Sequence, residues 1–193
     1  MRDLTRLLVS LQHWLNRHAQ QLDPVLLGRV NACLAEPLSA LPAPALRSGL
    51  SLADSWQAAR HNAVDLDEPM LQSLDALAPV LNWWSRPVSA ADPAGFQGAH
   101  ANAILIGARG LAQSPNLTLG ISLMEAGIRY PMHQHPPHEI YFVLSEGEWY
   151  QEGNGWSTPG IGGLVYNPPD ILHAMRAGDQ PLLALWVLLG DLP

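Results

Sequence analysis

The chain has 193 residues and a formal net charge of -7, with 48% hydrophobic and only 14% charged residues. That length carries one well-cored domain with a helical extension, and the acidic balance excludes a partner bound by neutralising phosphates, as nucleic acids are. All ten basic residues are arginine, so Schiff-base and pyridoxal-phosphate chemistry, which need a lysine amine, are excluded as well.

Helical spacing comes first along the chain. Leu4, Leu7, Leu8, Leu11, Trp14 and Leu15 fall on one face of an amphipathic helix. The same segment lacks the unbroken apolar core and small-residue cleavage site of a secretory leader. No stretch is apolar for long enough to span a bilayer. Cys33 is the single cysteine, so no disulfide closes within the chain. These features describe a soluble, cytoplasmic protein with no membrane partner.

Asp23-Pro24 reads as an N-cap followed by proline at the first helical position, ahead of Leu26, Leu27, Val30, Cys33 and Leu34. Pro37 to Ala45 holds three prolines and reads as a loop between helices. Ser51 with Asp54 has the spacing of a capping box before Trp56, Ala59 and Ala63. A fourth helix is expected from Glu68-Pro69 through Leu71, Leu74, Leu77 and Ala78, with Pro79 bending or ending it.

The period then changes. Between Ser85 and Gly98 the punctuation turns to proline and glycine. Short runs follow at Ala103–Ile106, Leu117–Met124, Ile140–Leu144, Glu148–Gln151, Gly163–Tyr166 and Leu182–Leu189. Strands so spaced predict a sandwich or barrel. The expected fold is α+β, a helical N-terminal region over residues 1–90 that packs on a C-terminal β-barrel over residues 91–193. The apolar helical half has two ways to bury itself, against its own barrel or against a second copy in a homodimer.

Chemistry concentrates in the stretch from Gly127 to Tyr141. Residues two apart on a strand share a face, so His133 and His135 converge, and after the Pro136-Pro137 turn Glu139 and Tyr141 share one too. A second element runs from Gly162 through Pro168 to His173, and a closed barrel brings such a distant ligand to the same interior point. Imidazoles with a carboxylate suit one divalent transition metal, and iron, manganese, zinc and nickel all remain open. His138 breaks the spacing and reads as a rim residue. His13, His18, His61 and His100 read as structural. Beside a divalent cation the Tyr141 phenol loses its proton more readily, which makes it a metal ligand or a general base.

These elements resemble the paired cupin motifs: glycine, five residues, His-x-His, three residues, Glu; then glycine, five residues, proline, four residues, His. Two positions depart from the pattern. Glu146 stands where a glycine is expected, with Gly147 one place later, and Asp170 replaces a glycine between Pro168 and His173. Both lie at turns, where altered loop shape is expected rather than loss of metal.

The wording HQHPPHEIYFVLSEGEW, VYNPPDILHAMR and PLLALWVLLG is similar, more narrowly, to the cupin-type dimethylsulfoniopropionate (DMSP) lyases of the DddQ kind. That resemblance is strongest from Tyr130 to Gly190. It implies a lyase that cleaves DMSP, a small zwitterionic carboxylate, into dimethyl sulfide and acrylate by β-elimination. It implies His135, Glu139 and His173 as metal ligands, with His133 coordinating or lining the site. Tyr141 is the implied base, and Tyr130 a second active-site tyrosine. A sulfonium is drawn to aromatic faces, so Trp149, Tyr166 and Trp186 are candidate walls. Rival readings are a lyase for another small carboxylate, an iron-dependent dioxygenase with no need of Tyr141, and a binding cupin that turns nothing over.

Overall fold

The computed structural model describes residues 1–42, 49–63, 66–90 and 92–190. Helices precede strands, as the change of period predicts. Helix α1 (Arg2–Arg17) buries Leu4, Leu7, Leu8, Leu11, Trp14 and Leu15. A 3-10 turn at Ala19–Gln21 leads to α2 (Pro24–Ala35), where the Asp23 carboxylate accepts from the amides of Val25 and Leu26.

The next segment is not simply a loop. Strand β1 (Ser39–Ala40) lies within it, and residues 43–45 of that segment fall outside the described ones. Helix α3 (Ala53–Asn62) starts from Leu52 with no side-chain cap, so the Ser51 and Asp54 capping box does not form. Helix α4 (Glu68–Leu77) carries Pro69 in its first turn and tightens into a 3-10 turn at Ala78–Val80, where Pro79 sits. No helix among the described residues is long and apolar enough to cross a membrane.

The strands that follow are β2 (His100–Ile106), β3 (Ala112–Gln113), β4 (Leu117–Met124), β5 (His138–Val143), β6 (Glu148–Gln151), β7 (Gly155–Ser157), β8 (Leu164–Asn167), β9 (His173–Arg176) and β10 (Leu182–Leu189). They form a seven-stranded sheet in the order β1-β3-β2-β4-β10-β5-β8 and a three-stranded sheet in the order β7-β6-β9. With the helices preceding the strands in the chain, the fold is α+β, as expected of a helical region followed by a cupin barrel.

Period-2 alternation divides each central strand between two environments. On β5, Ile140 and Phe142 join α1 to α4 in one large hydrophobic core, with Leu183, Leu185 and Val187 of β10 and Leu119, Ile121 and Leu123 of β4. The alternate residues Tyr141, Val143, Ala184 and Met124 instead pack with Trp149 of β6 and Met175 of β9. Helices thus cover the back of the large sheet, and the small sheet closes over its front. Trp14 ties the layers together. Its ring meets Phe142 edge-on at 5.6 Å, and its Nε1 donates to the Gly162 carbonyl at 2.7 Å.

Candidate metal centre and its cavity

The site lies between the two sheets. Residues 131–137 run mostly outside regular strands, so His133 and His135 do not share a strand face as the spacing suggests. Instead His133 makes an isolated bridge to His173, with reciprocal backbone hydrogen bonds of 2.9 Å. Convergence is achieved all the same. One ring nitrogen each of His133, His135 and His173 lies within 4.8 Å of the others, an arrangement that could hold a metal ion.

Local backbone contacts decide which nitrogen that is. Nδ1 of His133 sits 2.9 Å from the Pro131 carbonyl, Nδ1 of His135 3.2 Å from Pro137, and Nδ1 of His173 2.8 Å from Ile171. A carbonyl only accepts, so each Nδ1 donates and Nε2 is left as the ligand atom. Nε2 of His173 is buried and makes no directed hydrogen bond among the described residues. An orphaned imidazole nitrogen beside two others fits a metal better than it fits a packed core.

Glu139 joins this cluster from β5. Its Oε2 is 3.1 Å from Nε2 of His173 and 3.5 Å from Nε2 of His135. Asn167 donates to the same oxygen at 2.9 Å, and Gln151 donates to Asn167 at 2.7 Å. Burial pushes the Glu139 carboxyl up, but the imidazoles of His135 and His173 beside it and the hydrogen bond from Asn167 outweigh burial and hold its pKa at about 2. Burial, then the neighbouring His173, presses His133 down to about 4. His135 is raised, chiefly by its hydrogen bond to Glu139.

Both tyrosines reach the same place. A cavity of about 170 Å³ is lined by the metal-centre residues His133, His135 and Glu139, by Tyr130 and Tyr141, and by Trp84 and Trp186. Tyr141 is only 3% exposed. Burial, the Glu139 charge and a hydrogen bond to that carboxylate raise its pKa well above the ordinary value. Tyr130 is raised by burial, with Arg86 pulling the other way. Its ring stands edge-on to Phe96 at 5.3 Å and to His100 at 5.6 Å. His100 is buried, accepts from the Arg86 amide through Nε2 at 2.8 Å, and so packs behind this cavity residue.

Two expected walls lie elsewhere. Tyr166 pairs with Ile140 across β5 and β8 and so faces the helices, away from the cavity. Its hydroxyl is 2.8 Å from Nδ1 of His138, which is buried on the same back face rather than at the rim. Trp149 sits in the barrel core, its ring 6.1 Å from that of Tyr141, and it backs the tyrosine without lining the cavity. Trp186 does line it. Trp84, Asn102 and Ser122 line it too, and sequence reading missed them. Alternation along the first long strand puts Asn102 in register with His100, but nothing local announces the bridge from Trp84 to Asn102.

The two motif departures have distinct outcomes. Gly147 is buried where a β-carbon would run into Leu182, so it supplies the small residue and Glu146 stays exposed. Asp170 adopts φ 57, the left-handed region a glycine enters freely, and its amide donates to the His135 carbonyl at 2.9 Å.

A family model described as dimethylsulfoniopropionate lyase matches residues 50–184. A curated protein named dimethylsulfoniopropionate lyase DddQ, from Ruegeria pomeroyi, is 41% identical over 100 residues, which is 51% of this chain and 50% of that protein. The aligned part is thus about half the length of that relative. The crystal structure of DMSP lyase DddQ from the same organism superposes with a TM-score of 0.72 at 28% identity, covering 99% of this chain and 93% of that one. A structure described as of the DMSP lyases RdDddP and RnDddQII gives 0.70 at 23% identity over 98% and 93% of the two chains, a likeness of fold alone.

Proposed function

This chain belongs to the dimethylsulfoniopropionate lyase family, and on that premise we propose that it cleaves DMSP to dimethyl sulfide and acrylate by a metal-dependent β-elimination. The observation that carries the reading is one small cavity lined by two imidazoles, a carboxylate, two tyrosines and indole walls, with the third convergent imidazole, His173, against them. A divalent iron, manganese or zinc held by His133, His135, His173 and Glu139 would polarise the substrate carboxylate and acidify the adjacent C–H.

The remaining work falls to the chain's own groups. Tyr141, whose raised pKa a bound cation beside it would bring down, acts as phenolate and takes the proton from the carbon next to the carboxylate. The electron pair of that C–H bond becomes the new double bond, the C–S bond breaks, and sulfur leaves with its pair as neutral dimethyl sulfide. Acrylate stays behind. Tyr130 packs 5.1 Å from the His133 ring and positions the substrate against the centre. Trp84 and Trp186 offer faces to the sulfonium.

The test is direct. Purified protein loaded separately with iron, manganese or zinc is given DMSP, and both products are followed. Equal amounts of dimethyl sulfide and acrylate, lost on chelation, are expected. No product with any of the three metals overturns the proposal.

A further inference from the structure

Asn102 is 4% exposed, lies on β2 and lines the cavity. A one-way relay fixes its amide. Nε1 of Trp186 donates to Ser122 Oγ at 3.0 Å, and an indole nitrogen has no other role. The serine proton is left to go onward, and Ser122 Oγ donates to Asn102 Oδ1 at 2.6 Å. The amide oxygen is thereby committed and Nδ2 turned away from it. Nδ2 is buried and has no acceptor among the described residues. Tyr130 lies close enough for this amide to ease its phenol's pKa downward, but its hydroxyl is outside hydrogen-bond geometry to Nδ2. Nε1 of Trp84, the residue bridged to Asn102, is buried without an acceptor as well.

A buried N–H with nothing to donate to is costly, and in a ligand cavity it marks where an acceptor belongs. A sulfonium has no acceptor to offer and would be repelled by the positive end of the N–H dipole. A carboxylate has two oxygens, so one can face the metal centre while the other accepts from the wall. We propose that Asn102 is a specificity-determining residue that donates through Nδ2 to the substrate carboxylate, with Ser122 and Trp186 setting its orientation. This rests on the reading of the cavity as a site for a small carboxylate, and deepens it by naming the group that recognises that end.

Acrylate binding separates the two claims, because it needs no turnover. Zinc-loaded wild type, Asn102→Ala, Asn102→Asp and Ser122→Ala are titrated with acrylate by calorimetry, alongside zinc content, thermal midpoint and DMSP turnover. Losing one hydrogen bond to a charged group is expected to weaken acrylate binding about tenfold in Asn102→Ala. Asn102→Asp, which keeps the shape but turns a carboxylate on the ligand, is expected to weaken it further, and Ser122→Ala less. Zinc content should not change, and KM for DMSP should rise more than kcat falls. Unchanged acrylate affinity in Asn102→Ala and Asn102→Asp overturns the inference. So does loss of zinc in step with affinity, or a wild type that binds no acrylate. Asn102-dependent acrylate binding without dimethyl sulfide production leaves this inference standing and removes the lyase reading. Dimethyl sulfide production with unaltered binding in the variants does the reverse.

Discussion

The indole ring of Trp186 lies across its strand partner Gly120, in the volume that a β-carbon would occupy there. No other residue type leaves that space. Gly120 therefore sets how deeply a cavity wall sits, and with it the reach of Nε1 to Ser122. Gly120→Ala is expected to cost about 1–3 kcal/mol, the usual penalty of overpacking. At this chain length that is a fall of several degrees in thermal midpoint, with a shift in tryptophan fluorescence. An unchanged midpoint and spectrum would show that the ring has room to move.

Tyr141→Phe removes one oxygen from a buried position and leaves the ring against Trp149. Metal content is expected to stay at the wild-type level, while elimination falls by about 10²–10⁴, the usual contribution of a positioned base. Turnover within a few-fold of wild type would transfer the base role to Tyr130.

Removing any of the three imidazoles should cost metal. Alanine at His133, His135 or His173 is expected to lower occupancy as read by elemental analysis after dialysis, whatever the activity. Glu139→Ala is expected to do so too, and full occupancy there would confine the centre to the histidines.

The pH behaviour of the metal-free protein has two opposed signs. His135 is raised above its ordinary 6.5, so its contribution to stability is present below 6.5 and lost as pH rises through the folded value. His133 is lowered to about 4, so the unfolded chain binds the extra proton and stability is lost as pH falls from 6.5 towards 4. Histidine proton resonances should therefore titrate on opposite sides of 6.5. Glu139→Gln is expected to bring His135 down, because its hydrogen bond to that carboxylate is the main cause of the rise. Two coincident titrations would contradict the arrangement.

Asp170 offers a test of backbone strain. Its φ of 57 costs a side-chain-bearing residue energy that glycine does not incur. Asp170→Gly is expected to raise stability by up to about 1 kcal/mol, less whatever glycine adds to the freedom of the unfolded chain. A clear loss would mean that the aspartate side chain earns its position by other contacts.

Much of this was readable in the residues themselves. The stripe from Leu4 to Leu15 declared its helix because its apolar positions recur at one period only. The motif histidines declared themselves by spacing, although residues 131–137 do not form the strand that seemed to explain it. Tyr166 was misread for a physical reason. Leu164, Val165 and Tyr166 are all apolar enough to face either way, so β8 carries no alternation that says which side is the interior. Only pairing of Asn167 with Glu139 fixes it. Trp84 and the Gln151 to Asn167 support of Glu139 depend on contacts between distant segments, and no local pattern encodes them.

Trp14 touches the back of β5 while Glu139 and Tyr141 occupy its front. Whatever loosens the first helix is felt a strand's thickness away, as slack in the distances between a carboxylate, a phenol and three imidazoles. The helical half is in that sense part of the instrument's frame, and substitutions such as Trp14→Ala, far from any substrate atom, belong among those that would blur the chemistry.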